Sequence, residues 1–113
     1  MKKPMIKEDP LYQLIREGKI QEFNKKKKAG ELCDLRHADF RTVDLRGIDA
    51  SGIDFSHAYF RQADLRGIDF SQSNLNGASI NAAKISGTFF PDNITAKEIL
   101  LSLKHGTRMR TGL

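Results

Sequence analysis

From Leu35 onward a large apolar residue, or a substitute for one, recurs at every fifth position: Leu35, Phe40, Leu45, Ala50, Phe55, Phe60, Leu65, Phe70, Leu75, Ile80, Ile85 and Phe90. Two residues before each stands a second uncharged residue, usually smaller: Cys33, Ala38, Val43, Ile48, Ile53, Ala58, Ala63, Ile68, Ser73, Ala78, Ala83 and Thr88. A period of five matches neither the period of roughly 3.6 of an α-helix nor that of roughly 2.0 of a flat strand. It matches a chain that runs straight briefly and then turns a corner, with two side chains of every five pointing in and three pointing out.

A longer period is superimposed, because residues 37–52 (HADFRTVDLRGIDASG) and 57–72 (HAYFRQADLRGIDFSQ) agree at 11 of 16 positions with an offset of 20. Four corners of five residues close a roughly square coil, so equivalent residues should lie one above another at the ~4.8 Å spacing of neighbouring strands. The expected inward stacks are Leu35 on Phe55 on Leu75, Phe40 on Phe60 on Ile80, Leu45 on Leu65 on Ile85, and Ala50 on Phe70 on Phe90. The one small member, Ala50, is flanked by Ile48 and Ile53, which keeps the coil filled. Gly47, Gly52, Gly67, Gly77 and Gly87 fall at corners, where the third position of a type II turn requires positive φ. The corners at His37, Thr42, His57, Gln62, Gln72 and Ala82 lack glycine and leave room for a different turn.

Segments such as Ala63-Asp64-Leu65-Arg66-Gly67 resemble the A(D/N)LXX unit of the pentapeptide-repeat family. Twelve units, about half of the chain, carry the resemblance, with departures at Ala50, Tyr59, Lys84 and Phe89. The resemblance implies a mainly β fold, a short right-handed quadrilateral β-helix of about three coils.

A short β-helix exposes strand edges and core at both ends unless something covers them, and both flanks read as α-helical caps. Asp9-Pro10 is an N-cap with proline at the first helical position, ahead of an apolar stripe at Leu11, Leu14 and Ile15, and a second short helix is expected from about Lys19 to Lys28 with Ile20 and Phe23 inward. Thr95-Ala96-Lys97-Glu98 reads as a capping box, and Ala96, Ile99, Leu100 and Leu103 share a helical face expected to seal the last coil. The expected organisation is an N-terminal helical cap over residues 1–32, the repeat coil over 33–90, and a capping helix with a basic tail over 91–113. Leu101 falls off the sealing face, so it packs sideways or helps a second subunit dock; the resemblance implies a homodimer through this cap. The tail from His105 to Leu113 shows no structural duty in the sequence, which leaves disorder open.

Several function classes drop out. A lone cysteine, Cys33, cannot form an internal disulfide or a zinc ribbon, and its inward position assigns it to the core. No apolar run reaches the ~18 residues of a spanning helix, and the basic Met1–Asp9 segment has no apolar stretch behind it, so a cytoplasmic chain without membrane insertion is expected. No nucleophile stands beside a histidine and an orienting acid, so no catalytic residue, cofactor or enzymatic activity is expected. His37 and His57 should stack at one corner, but two imidazoles without a third ligand make a poor metal site, and no metal is expected.

The net charge of +5 divides unevenly, at +4 for residues 1–32, −1 for 33–90 and +2 for 91–113. The run Lys25, Lys26, Lys27 and Lys28 reads first as a solvated helix terminus favoured by the helix dipole, and second as a contact for nucleic acid, anionic lipid or an acidic protein. The expected contacts with an unidentified protein partner are Tyr59, the columns Arg41 over Arg61 and Arg46 over Arg66, and that lysine run. Together they describe a non-enzymatic protein-binding or scaffolding module. The alternative is a regulator of a nucleic-acid enzyme, either by imitating DNA through an acidic wall, as the resemblance to the pentapeptide-repeat family implies, or by touching nucleic acid through the basic ends. The wall with Asp49, Ser51, Asp69 and Ser71 has no base in the sequence, yet three coils span only ~15 Å, over which duplex DNA presents about nine charges.

Overall fold

In a computed structural model, which describes residues 4–113, the five-residue spacing becomes a reverse turn at every corner from 35–38 to 85–88. Each turn is closed by a backbone N–H donating to the carbonyl three residues back, as in Val43 to Phe40 at 3.1 Å and Ala63 to Phe60 at 3.0 Å. The third residue of the turn is left-handed at the five glycines, and also at His37, Thr42, His57, Gln62 and Ala82, with φ from 56° to 65°. The corners without glycine therefore use the same turn, and only Gln72 departs from it. At these corners square closure outweighs the local cost of a left-handed side chain.

Residues 20 apart meet in parallel bridges: Asp39 with Tyr59, Tyr59 with Ser79, Asp44 with Asp64, Asp64 with Lys84, Asp54 with Asn74 and Asp69 with Phe89. These bridges are isolated, and no longer strand occurs among the described residues, because a corner interrupts each straight run after a few residues. The inward side chains form a continuous core in which Phe40, Phe55, Phe60, Phe70, Leu35, Leu45, Leu65, Leu75 and Ile80 are almost fully buried. Phe40 stacks on Phe60 at 5.4 Å, and Phe55 meets Phe60 and Phe70 edge-on, geometries that favour aromatic pairs.

Asp has a structural reason to precede the central residue of the unit. Its carboxylate accepts the backbone N–H two residues on, at Arg36, Arg41, Arg46, Ser51, Ser56, Arg66 and Ser71, so it braces the entry to the corner.

Three helices flank the coil: α1 (Pro10–Arg16) and α2 (Ile20–Lys28) before it and α3 (Ala96–His105) after it. Asp9 caps α1 by accepting from the N–H groups of Leu11 and Tyr12, and its second oxygen accepts from Asp34 N–H at 3.1 Å. The buried face of α1 is Leu11, Tyr12 and Ile15; Tyr12 lies against Phe40 at 5.4 Å and donates its hydroxyl to the Asp39 carbonyl at 2.7 Å. Ile20 and Phe23 of α2 are buried as expected.

The open backbone edge of the first coil is met by two surrogates for a preceding coil. Met5 accepts from Asp39 N–H and donates to the His37 carbonyl, each at 2.9 Å. The Asn24 side-chain amide does the same two walls further on, donating to Gly47 O at 3.0 Å and accepting from Asp49 N–H at 2.9 Å.

At the other end α3 turns a different face to the coil than the apolar spacing suggests. Glu98 and Ser102 are buried and Ile99 and Leu103 pack on the core, whereas Ala96 is exposed and Leu100 is 52% exposed. The reason is hydrogen bonding: Ser102 Oγ accepts from Ile80 N–H at 2.9 Å and Leu103 O from Ala82 N–H at 3.0 Å, which fixes the helix rotation. The tail is ordered, with Met109 fully buried and its backbone bonded to Gly77 N–H at 2.7 Å and Ala78 O at 2.9 Å.

Two substitutions test these roles by thermal unfolding. Asn24→Ala removes both amide bonds and should cost roughly 1 kcal/mol, lowering Tm by about 4 °C. Thr42→Gly relieves a left-handed β-branched residue worth roughly 1–2 kcal/mol, less the roughly 0.5–1 kcal/mol of glycine entropy, so Tm should rise. A Tm unmoved by Asn24→Ala would remove that amide from the closure of the coil end.

Candidate partner-binding surface

Side chains on the walls inherit their positions from the corner geometry, so residues 20 apart form columns and residues two apart form rows. Along the rows, Arg clamps Asp. Arg36 Nε lies 3.0 Å from Asp34, Arg41 Nη2 2.9 Å from Asp39, Arg46 Nη2 2.8 Å from Asp44 and Arg66 Nη2 2.7 Å from Asp64. Arg46 also reaches up one coil to Asp64 at 3.3 Å. The hydrogen bonds from Arg36 and Arg66 hold the Asp34 and Asp64 carboxyls at about 2. At Asp39 burial pushes the carboxyl up, and the Arg41 hydrogen bonds outweigh it, so the net shift is downward.

These clamps alter the reading of the wall. Arg41, Arg46 and Arg66 each present a half-exposed guanidinium already committed to a carboxylate, and the Asp39 and Asp64 ends of these pairs are largely buried whereas Asp44 is solvated. Arg61 is the exception among the wall arginines: it has no ion pair among the described residues, because Tyr59 stands where Asp precedes the others. The seemingly base-free wall also changes, since Lys27 of α2 reaches Asp49 at 3.1 Å and Ser51 Oγ at 3.2 Å.

Tyr59 is half-buried and held by the tail. Arg108 places its guanidinium 5.1 Å from the ring centroid, hydrogen-bonds the Tyr59 hydroxyl and donates to Gly77 O at 3.0 Å. Below it the His37 and His57 rings stack as the repeat offset predicts, with centroids 5.0 Å apart and planes 10° from parallel. The His57 ring lies over Gly77, where a Cβ would come within 2.2 Å of Nδ1, so this corner needs glycine for space as well as for its φ of 76°. Among the described residues no group of three His, Cys, Asp or Glu side chains is placed to hold a metal ion. Cys33 is half-buried beside the core, and burial pushes its thiol pKa up.

The lysine run divides into two uses. Lys26 pairs with Glu31 at 3.6 Å and Lys27 with Asp49, while Lys25 and Lys28 stay exposed in the last turn of α2. Leu101 is half-buried and shares a shallow depression with Leu100, Lys97, Lys104 and His105.

Glu98 and Arg110 form a pair that the sequence reading missed. Thr95 Oγ1 accepts from Glu98 N–H at 3.3 Å, but the Glu98 carboxylate does not complete the capping box; it accepts from the backbone N–H, Nε and Nη2 of Arg110 at 2.9, 3.0 and 2.8 Å. The signal available was the alternation Arg108-Met109-Arg110, which puts an apolar side chain on the face opposite two cations.

The family model for pentapeptide repeats matches this chain in eight copies, over residues 33–72 and 53–90. No curated protein and no solved structure matches it. No helix among the described residues is long and apolar enough to cross a membrane.

The Arg110 bonds hold the buried Glu98 at about 2, below the ordinary 4.5. A folded-state value below the unfolded one contributes stability in full above the unfolded value, and that stability is lost as pH falls through the folded value. Tm should therefore fall between about pH 4.5 and pH 2, with Asp34 and Asp64 adding to the loss from their ordinary 3.8 down to about 2. Arg110→Gln should lower Tm at neutral pH and flatten the decline below pH 4.5; an unchanged acid slope would separate Glu98 from acid unfolding.

Proposed function

The chain belongs to the pentapeptide-repeat family, and on that premise we propose that it works as a non-enzymatic binding or scaffolding module, contacting a protein partner through the walls of its coil. The repeats imply a β-helix, and the bridges between residues 20 apart, the corners and the flanking helices are consistent with a short right-handed quadrilateral one with helical caps. A filled interior leaves the outer surface to carry specificity, because a regular wall is a spacer until its decorations differ.

The single observation that carries the reading is Arg61. Every other wall arginine is satisfied by the Asp two residues before it, whereas among the described residues Arg61 presents its guanidinium without a carboxylate, one coil above Arg41. Beside it, Arg46, Arg66 and Lys84 extend a surface where cations outnumber acids. Such a surface suits an acidic patch on a protein, with Arg61 free to take a carboxylate in a forked contact. Tyr59 enters the proposal as a positioning residue, since its hydroxyl is taken by Arg108, and Lys25 and Lys28 enter as peripheral charges.

DNA imitation finds less support. Asp34, Asp39, Asp44, Asp49 and Asp64 each have a cation within ion-pair distance, so little uncompensated acidity remains on so short a rod.

The test is affinity capture of partners by the tagged protein at ~150 mM salt, where charges beyond ~8 Å are screened. Arg61→Ala, which breaks no ion pair, should weaken retention of a discrete protein band roughly twofold to fivefold. Arg41→Ala with Arg61→Ala should abolish it in a chain whose Tm is still cooperative. Retention equal to the unmodified protein in the double variant would remove this wall from the binding surface.

A further inference from the structure

The C-terminal end of the coil is closed over only part of its perimeter. Within the coil, each wall sends a fixed set of backbone groups to the next one. Ala63 O accepts from Lys84 N–H at 3.0 Å, Leu65 N–H donates to Lys84 O at 2.9 Å and Gly67 N–H to Ser86 O at 3.0 Å. Ile68 O accepts from Phe89 N–H at 2.9 Å, and Phe70 N–H donates to Phe89 O at 2.7 Å. One coil further on, the corresponding groups between residues 77 and 82 are met by Met109, Ser102 and Leu103. Those between residues 83 and 90 are not: Ala83 O, Ile85 N–H, Gly87 N–H, Thr88 O and Phe90 N–H have no hydrogen-bond partner among the described residues.

The same stretch is short of side-chain cover. Ile85 and Phe90 occupy inward positions yet remain half-exposed, and the outward Phe89 is 65% exposed. A Cβ built on Gly87 would touch only Gly67, on the coil beneath, at 3.8 Å. An open edge with an apolar floor is a template for strand addition.

We propose that residues 83–90 take up an extended peptide from a protein partner as one more coil segment, by parallel backbone pairing. This surface is separate from the arginine columns. The chain itself supplies the precedent for an extended segment seated on a coil edge, at Met5 across 37–39 and at Met109 across 77 and 78. Charge selects the peptide further. Lys84 is the only charged residue between 83 and 90, and from the coil beneath it is bridged by Asp64, so a residue stacked on its open side is favoured when acidic. The floor asks for an apolar residue next after that acid, over Ile85, and a second apolar residue five positions later, over Phe90.

A second copy of this chain is a poorer occupant. Its N-terminal coil end is covered by α1 and α2, whose Tyr12, Ile15 and Phe23 are fully buried, and a twofold copy would run residues 83–90 antiparallel and set Lys84 opposite Phe89, with no acid in the segment to meet it.

The probe is a fluorescein-labelled octapeptide with the sequence of residues 63–70, ADLRGIDF, which has the required acid and both apolar residues in register. It is added to the full chain while amide hydrogen exchange is followed residue by residue. In the free chain the Ile85, Gly87 and Phe90 amides should exchange rapidly while Leu65, Gly67 and Phe70 are protected. Saturating peptide should slow the first three at least tenfold. The same peptide N-methylated at both Asp amides, which removes the donors to Ala83 O and Thr88 O, should bind at least tenfold more weakly. Lys84→Glu should weaken the parent peptide at least threefold. The proposal is overturned if the three amides are already protected in the free chain, with sedimentation showing a dimer, or if the peptide leaves their exchange unchanged. Equal binding of the N-methylated peptide also overturns it.

Discussion

Parallel hydrogen bonds between residues 20 apart hold this molecule together, and they exist because the chain turns at every fifth residue, in the same left-handed conformation at every corner but Gln72. Each corner has to return the following wall to the neighbouring coil, where its N–H and C=O groups find their partners. That constraint explains why His37, Thr42, His57, Gln62 and Ala82 accept a backbone region that costs an L-residue about 1–2 kcal/mol. Collectively, paired backbone and a stacked aromatic core outweigh a handful of such strains.

A coil with so few turns has proportionally large ends, and most of the specialised residues serve them. Tyr12, Asn24 and Met5 meet the first coil, and Ser102, Leu103 and Met109 meet the last, each offering a donor or acceptor where another coil would have stood. Burial alone would not have required hydrogen-bonding groups at these positions; the exposed ladder does. The Glu98–Arg110 pair follows from this arrangement, since it ties the tail that carries Met109 back onto α3.

Surface charge is likewise subordinate to the backbone. The Asp side chains brace corners first and accept Arg second, so a row that looks like a charge pattern is a local structural device. Departures from it are therefore informative: Tyr59 releases Arg61 from its usual partner and anchors the tail, and Lys84 and Phe89 mark an edge where the coil stops without cover. What distinguishes this protein from a generic repeat lies at those positions.

The repeat register, the inward stacks, the His37–His57 pairing and the placement of helices on both flanks were legible in the sequence, because a strict period converts directly into position when each residue contacts only its own neighbours and the adjacent coil. Which face of α3 meets the coil was not legible. Apolar spacing favoured Leu100, but the rotation was decided by Ser102 and Leu103 bonding to Ile80 and Ala82, partners about 20 residues away. The order of the tail, the reach of Lys27 to Asp49 and the coil edge left open at 83–90 were decided in the same way. Periodicity determined the coil by itself, since it is a local property repeated; the closing of its ends depends on contacts between segments with no shared period, and only the tertiary structure could decide them.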